Sequence, residues 1–515
     1  MWHVKLLQME SDPNDNSQSL TEDATAIAGG SAIVMVGGIA ERAIRMATTW
    51  FLSGALGTAG FGLFAFATTV ANIVGALAPL GVDGGATMFG ARYRKTDEKA
   101  RLKGLLYSVI GVVTVTGPLF SLATWLLVDH GFVLQDQPDT ASAVKLISIG
   151  VALVAMVSVS SEILVSRKDM RGHAWSRLIA IPTVTLISAV IAVGAGLGVP
   201  GVIGAFLLGQ IAGIGVAVQR IWATDGKLLR DRAVHAQTEF KHLFSYALPQ
   251  SFARVLYRAN LWVDILMLTA LGTLADVGIY RVSVALAMLG ALPVLASTTM
   301  FGPVIAELVY TKQIERLNGL LKIVTRWLLV VATPIYFVVL LLPDVVLSIF
   351  DEAYLSGSGA LAILMAGQGV YVLAAPSGAI LTQGGHSKLN LMNGCIAVGL
   401  NIGLNAWLIP AHGIHGAAIA STSALSVWSL LRLVQVWGLY RCSAYSHRSL
   451  VLTITAIGAG IATHALLSDA SMTIRVVTVG LELIVGLALF WFFGRTGEDD
   501  AVIDKVSEKL KRLSS

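Results

Sequence analysis

The chain carries one long internal duplication. Ala55-Leu56-Gly57-Thr58 returns as Ala270-Leu271-Gly272-Thr273, Gly75-Ala76-Leu77 as Gly290-Ala291-Leu292, and Thr87-Met88-Phe89-Gly90 as Thr299-Met300-Phe301-Gly302, with the order kept. Gly201-Val202-Ile203-Gly204-Ala205 is echoed by Gly413-Ile414-His415-Gly416-Ala417 at nearly the same displacement, so about six apolar segments recur as a unit. A duplicated helical chain builds two like bodies, and in membranes the interface between such bodies is where a transported species is held.

Those segments belong in a bilayer. Only 13% of the residues are charged and 55% are hydrophobic, against roughly 25% charged in soluble domains. Mean hydropathy is +0.74. Runs of about 20 apolar residues, each able to cross a ~30 Å hydrocarbon core, leave no room for a large soluble domain. The expected class is therefore an all-α polytopic membrane protein of about 14 spans, near 28–53, 58–80, 103–128, 143–165, 177–197, 201–222, 243–270, 278–305, 320–342, 358–382, 389–409, 413–437, 449–468 and 472–494. The acidic N-terminus (Glu10, Asp12, Asp15, Glu22, Asp23) lacks the basic start of a cleaved signal, so the first span is expected to be retained. Cys395 and Cys442 have no metal-ligand spacing and read as packing residues.

Charge in the loops alternates. Those after the second, fourth and sixth spans carry Arg92, Arg94, Lys95, Lys99, Arg101 and Lys103, then Arg167, Lys168, Arg171 and Arg177, then Arg220, Lys227, Arg230, Arg232 and Lys241. The intervening loops hold Asp129, Asp136, Asp139, Asp276, Asp344, Asp351, Glu352 and Asp469, with Lys145, Arg281 and Arg475 at their edges. The positive-inside rule then sets an even number of spans with both termini cytoplasmic. The net charge of +5 is explained by topology and calls for no nucleic acid, with attraction to anionic membrane lipids as a second reading. The expected organisation is a cytoplasmic tail at 1–27, an N-lobe at 28–222, a cytoplasmic linker at 223–242, a C-lobe at 243–437, two added spans within 449–494 and a tail at 495–515 that reads equally as an amphipathic or a solvated segment. The two lobes are parallel repeats around a central cavity.

Charges inside the spans carry the chemistry, since each costs on the order of 2.5–3.5 kcal/mol at a helix centre on insertion scales. The first span bears Glu41, Arg42, Arg45, Thr48 and Thr49 within a roughly 120° arc, and the seventh bears Gln250, Arg254, Tyr257, Arg258 and Asp264 within a similar arc. The repeat displacement sets Arg42 level with Tyr257 and Arg258. Two arginine stripes facing one another suit a phosphate or pyrophosphate group, which the planar guanidinium grips in pairs. The candidate substrate residues are therefore Arg42, Arg45, Arg254, Tyr257 and Arg258. The competing reading is mutual neutralisation, Glu41 with Arg45 at i,i+4 and Arg258 with Asp264. Glu41 and Asp264 are the candidates for H+ or Na+ coupling, and pairing with an arginine is the favoured alternative for both. Asn390, Asn393, Asn401 and Asn405 share a face of the eleventh span, where interhelical hydrogen bonding is preferred to sugar or ion contact. Glu162 and Glu482 read as isolated. No Walker loop is present, and Gly196-Leu197-Gly198-Val199-Pro200-Gly201 joins two spans without a βαβ unit, so it is a turn.

Phe51-Leu52-Ser53-Gly54-Ala55-Leu56-Gly57, Phe61-Gly62-Leu63-Phe64 and Leu80-Gly81-Val82-Asp83 before a basic loop resemble the opening of bacterial polysaccharide flippases of the Wzx type. Val277-Gly278-Ile279-Tyr280 resembles that family's step into the eighth helix, and Gly413-Ile414-His415-Gly416-Ala417-Ala418 its approach to the twelfth. The resemblance covers nearly the whole chain and extends to the larger superfamily of multidrug exporters and lipid II flippases. It implies a non-enzymatic carrier of undecaprenyl-diphosphate-linked oligosaccharides across the bacterial inner membrane, without a cofactor and with polymerase and chain-length machinery as partners. Two rivals stand beside it. A cation-coupled multidrug exporter would favour carboxylates over arginines in the cavity, and a membrane-embedded polymerase or glycosyltransferase would need a long external loop or catalytic carboxylates.

Overall fold

The structure is a computed structural model that describes residues 13–130, 137–238, 240–443, 445 and 471–489; side chains at 13–32, 248–259 and several single helical positions lie outside that description. All described elements are helical. In chain order they are α1 (Pro13–Leu77), α2 (Val82–Lys95), α3 (Lys99–Asp129), α4 (Pro138–Ser166), α5 (Met170–His173), a π-helical stretch (Ala174–Ala180), α6 (Ile181–Gly194) and α7 (Gly198–Arg230). The second half comprises α8 (Phe240–Leu271), α9 (Leu274–Ala287), α10 (Leu292–Tyr310), α11 (Ile314–Leu341), α12 (Pro343–Ser348), α13 (Ser358–Gln383), α14 (Ser387–Tyr440) and α15 (Met472–Leu489). The expected spans fall on these helices, with 278–305 divided between α9, a 3-10 turn (Met288–Ala291) and α10; 449–468 and 490–494 lie outside the described residues.

The first two spans form one rod bent at Gly57 (φ 67°, ψ 178°), and the eleventh and twelfth form another bent at Gly413 (φ 52°, ψ −128°). A positive φ is costly for any residue with a Cβ, so glycine sets both bends. Thr273 starts α9 with a capping box: its hydroxyl accepts from Asp276 N (3.1 Å) while the Asp276 carboxylate accepts from Thr273 N (3.1 Å). The outer surface is apolar, with Val115 67% and Trp407 73% exposed. Water would not tolerate such a surface, but hydrocarbon does.

In lipid, helices associate through close packing rather than through hydrophobic drive. Leu52, Phe61 and Ala65 from α1 join Val277, Tyr280 and Leu286 from α9 in one buried cluster. There the halves touch backbone to backbone: a Cβ built on Gly62 would stand 1.8 Å from the Leu274 carbonyl oxygen, and one on Gly278 would stand 2.1 Å from that of Thr58. Two further bonds cross at this end, from Trp50 Nε1 to the Ile349 carbonyl (2.8 Å) and from the Tyr354 hydroxyl to the Ser53 carbonyl (3.2 Å).

The other end gathers the basic loops. Asp225 on α7 accepts from Arg94 on α2 (2.7 Å) and pairs with Arg167 (2.8 Å), so one carboxylate ties three helices. Burial lowers the affinity of Arg94 for its proton, and Asp225 restores only part of that loss. Lys103 Nζ donates to the carbonyls of Asp231 (2.5 Å) and Val234 (3.1 Å), and Gln237 N donates to the Ala100 carbonyl (3.0 Å), strapping the segment after α7 onto α3.

Candidate functional site

Charged side chains converge where α1 meets α9 and the π-helical stretch. Arg45 Nε donates to Glu41 Oε1 at 2.8 Å, as the i,i+4 spacing allows, yet the Arg45 side chain remains 55% exposed. Arg42 Nη1 is buried without a hydrogen-bond partner. Arg281 on α9 is close enough to Arg45 for the two like charges to repel, and no ion pair or hydrogen bond of Arg281 occurs among the described residues. Thr48 and Thr49 spend their hydroxyls on the Ile44 and Arg45 carbonyls (2.8 and 2.9 Å). Neutralisation of Glu41 by Arg45 is thus realised, while among the described residues Arg42 Nη1 and Arg281 have no anionic partner.

Two of these neighbours differ from the sequence expectation. Arg281, read from its loop charge at an outer edge, is near enough to Arg45 on α1 for the two charges to repel, a proximity the sequence reading did not include; its position inside the expected span 278–305 is the signal that could have found it. Glu162, expected to be isolated, accepts from the Thr87 hydroxyl at 2.5 Å and acts electrostatically, with Glu41 and Arg177, on His173. Long-range pairing of this kind has no spacing in sequence. Cys442 is buried as expected of a packing residue, but Cys395 is exposed on the surface of α14.

A second site lies wholly within the second half. Asp264 on α8 is 3% exposed. Its Oδ1 accepts from Asn405 Nδ2 (2.7 Å) and its Oδ2 from the Ser421 hydroxyl (2.5 Å) and the Tyr280 hydroxyl (3.1 Å). Asn405 Nδ2 also reaches Asn401 Oδ1 (2.6 Å), and Asn401 Nδ2 reaches Asn260 Oδ1 (3.4 Å). The Arg258 side chain, the expected alternative partner of Asp264, lies outside the described residues; the partners of Asp264 among those residues are neutral donors, and no cation faces it there. The helix periodicity of α14 explains this, because Asn401, Asn405 and, beyond the bend at Gly413, Ser421 are carried to one side of α8. Asn405 Oδ1 is buried with no donor. A carboxylate beside an unpartnered amide oxygen offers ligands to a hard cation, and a protonated carboxyl would satisfy the same acceptor.

The asparagine face is an interhelical hydrogen-bond seam. Asn393 and Gln435 exchange amide bonds at 2.8 Å in both directions, and Asn390 reaches Thr382 at 3.4 Å. Arg254, Tyr257 and Arg258 lie on α8 two to three turns before Asp264; their side chains are outside the described residues.

A family model described as polysaccharide biosynthesis protein matches residues 27–309, more than half of the 515-residue chain. Among solved structures, the chain is similar to an inward-facing multidrug resistance MATE family transporter of the MOP superfamily (TM-score 0.66, 14% identity, covering 78% of this chain and 94% of that one). It is also similar to lipid II flippase MurJ in an inward closed conformation (0.64, 15%, 87% and 99%) and to a MATE protein in the bent conformation (0.57, 15%, 85% and 96%). Identities this low speak for a shared fold. No curated protein sequence matches the chain.

Proposed function

Because the chain belongs to the polysaccharide biosynthesis protein family and has the multi-pass fold of MOP-superfamily transporters, we propose that it flips undecaprenyl-diphosphate-linked oligosaccharides. Transport runs from the cytoplasmic to the periplasmic leaflet of the bacterial inner membrane, for exopolysaccharide, capsule or O-antigen assembly. The observation that carries this reading is the excess of positive charge where Arg42 and Arg281, without a partner among the described residues, stand beside the Glu41–Arg45 pair. Like charges held together inside a bilayer are stabilised by an anion, and a diphosphate offers oxygens to several guanidinium groups at once. In this reading Arg254, Tyr257 and Arg258 contribute to the same pocket from α8, while the lipid tail stays in the bilayer.

The lobes at 28–222 and 243–437 rock about this pocket, with both termini cytoplasmic and the polar pair Glu41–Arg45 on one wall. Asp264 is the candidate for H+ or Na+ coupling, as a carboxylate surrounded by neutral donors. That same site favours a second reading, a cation-coupled multidrug exporter. Translocation of a fluorescent diphosphate-linked oligosaccharide in proteoliposomes separates them. The flippase reading expects Arg281→Ala and Arg254→Ala to abolish translocation while a folded, monodisperse protein is retained. Dye efflux that depends on Asp264 and is indifferent to Arg281 would replace it with the exporter reading.

A further inference from the structure

His173 closes the short helix α5 and stands at the mouth of the π-helical stretch Ala174–Ala180. π turns are rare and concentrate at functional sites. Pro182, with no N–H to give to a carbonyl four residues back, lies just beyond this one. The imidazole is only partly buried, and its Nδ1 is 2.8 Å from the Ser161 hydroxyl on α4. Three charges act on it from three elements: Arg177 from the π-helical stretch, Glu162 from α4 and Glu41 from α1. Glu162 is held by Thr87 of α2, and Glu41 by Arg45. On its own element, Asp169 is occupied by Gly172 N (2.8 Å) and Arg171 is exposed. α7 packs behind the segment through Gly213, whose carbonyl accepts from Ser176 (2.7 Å). The ionised residues of α7, Arg220 and Asp225, begin roughly 10 Å further along its axis at 1.5 Å per residue.

We propose that His173 is a proton-binding site of the N-terminal half, whose charge is coupled to anion binding at the neighbouring arginines. The coupling rests on the diphosphate reading above. Histidine changes charge between pH 5 and 8. Its position lets the change reach the pocket wall: a charged imidazole draws Glu162 and Glu41 toward itself, relaxes the hold of Glu41 on Arg45 and adds a positive charge beside Arg177. Each of these strengthens the field that an anion meets. By reciprocity, an anion in the pocket promotes protonation of His173 by the same factor. The device would load a proton with the head group, using a residue separate from Asp264.

The test uses the full chain in lipid nanodiscs, with ¹⁵N-labelled histidine and farnesyl diphosphate as the probe. His173→Gln keeps a hydrogen-bonding partner for Ser161 and identifies the His173 resonance. The expected result is a His173 midpoint between pH 5 and 8 that rises when the probe binds. Wild-type affinity should fall from pH 5.5 to 7.5 by on the order of 5- to 10-fold more than that of His173→Gln; ionisation of the probe is common to both. Equal pH dependence in the two proteins overturns the coupling and leaves the diphosphate reading standing. Absence of probe binding at any pH overturns the diphosphate reading, and the ligand-free titration then decides the proton site: a midpoint within the range upholds it, and no titration there overturns it.

Discussion

Replacing Gly62 by alanine should push the two halves apart at the α1–α9 crossing. The added Cβ would stand 1.8 Å from the Leu274 carbonyl oxygen and 2.9 Å from Gly278 N. Ordinary contact begins at 3.4 Å, so the helices must separate by about 1.5 Å, and overpacking of this kind costs about 1–3 kcal/mol. Gly278→Ala meets the Thr58 carbonyl at 2.1 Å and should act alike. At 1.4 kcal/mol per tenfold, the ratio of closed to open states at this end falls by roughly 5- to 150-fold. A cysteine at buried Ser53, in a Cys395→Ser, Cys442→Ser background, reports it through its rate of reaction with a membrane-impermeant maleimide in proteoliposomes. Labelling should accelerate in both variants, and the double variant should add little, because the first substitution already breaks the shared contact. A cysteine at Ser108, buried among α3 neighbours, should stay protected, and Gly111→Ala, with open space around it, should change nothing. Unchanged labelling and an unchanged thermal midpoint in both glycine variants would refute the backbone contact as the closure.

Asp264→Ala strands the donors of Tyr280, Asn405 and Ser421 and should lower stability by about 1–3 kcal/mol; Asp264→Asn should recover most of the thermal midpoint while losing any ion dependence of transport. Asp225→Ala leaves Arg94 and Arg167 side by side without their shared anion, at about 3–5 kcal/mol; a thermal midpoint equal to wild type would contradict the clasp. Arg475 grips Asp344 through two bonds of 2.6 and 2.8 Å, and they hold its carboxyl below the usual carboxylate range. The stabilisation is therefore complete above the ordinary aspartate value and is lost only as pH falls through the lowered one. Energy transfer between labels at Ser348 and Ser471 should thus persist at pH 5 and fall in Arg475→Ala; an equal signal in the two proteins would show that α15 docks by other contacts.

The Asp264 site shows where sequence reading stops. The polar faces of α8 and α14 are visible as Asp264 and the asparagine run, since helix periodicity fixes which residues share a side. That Asn405 and Ser421 are partners of Asp264 follows from how α14 bends at Gly413 and crosses α8, which no local spacing encodes. The Glu41–Arg45 pair is the opposite case: it is an i,i+4 contact within one helix and appears as spaced.

The sequence by itself determined the class, the helical spans, the alternation of loop charge and the duplicated order, because insertion into hydrocarbon depends on the local run of apolar residues and satisfies the backbone within each helix. Tertiary structure alone decided which polar side chains become neighbours: Arg281 with Arg45, Asp225 with Arg94 and Arg167, Glu162 with Thr87, and His173 with Glu41, Glu162 and Arg177. These meetings depend on the azimuth and crossing of packed helices. Such geometry is set by close approach at small residues such as Gly62 and Gly278, hundreds of positions apart in the chain.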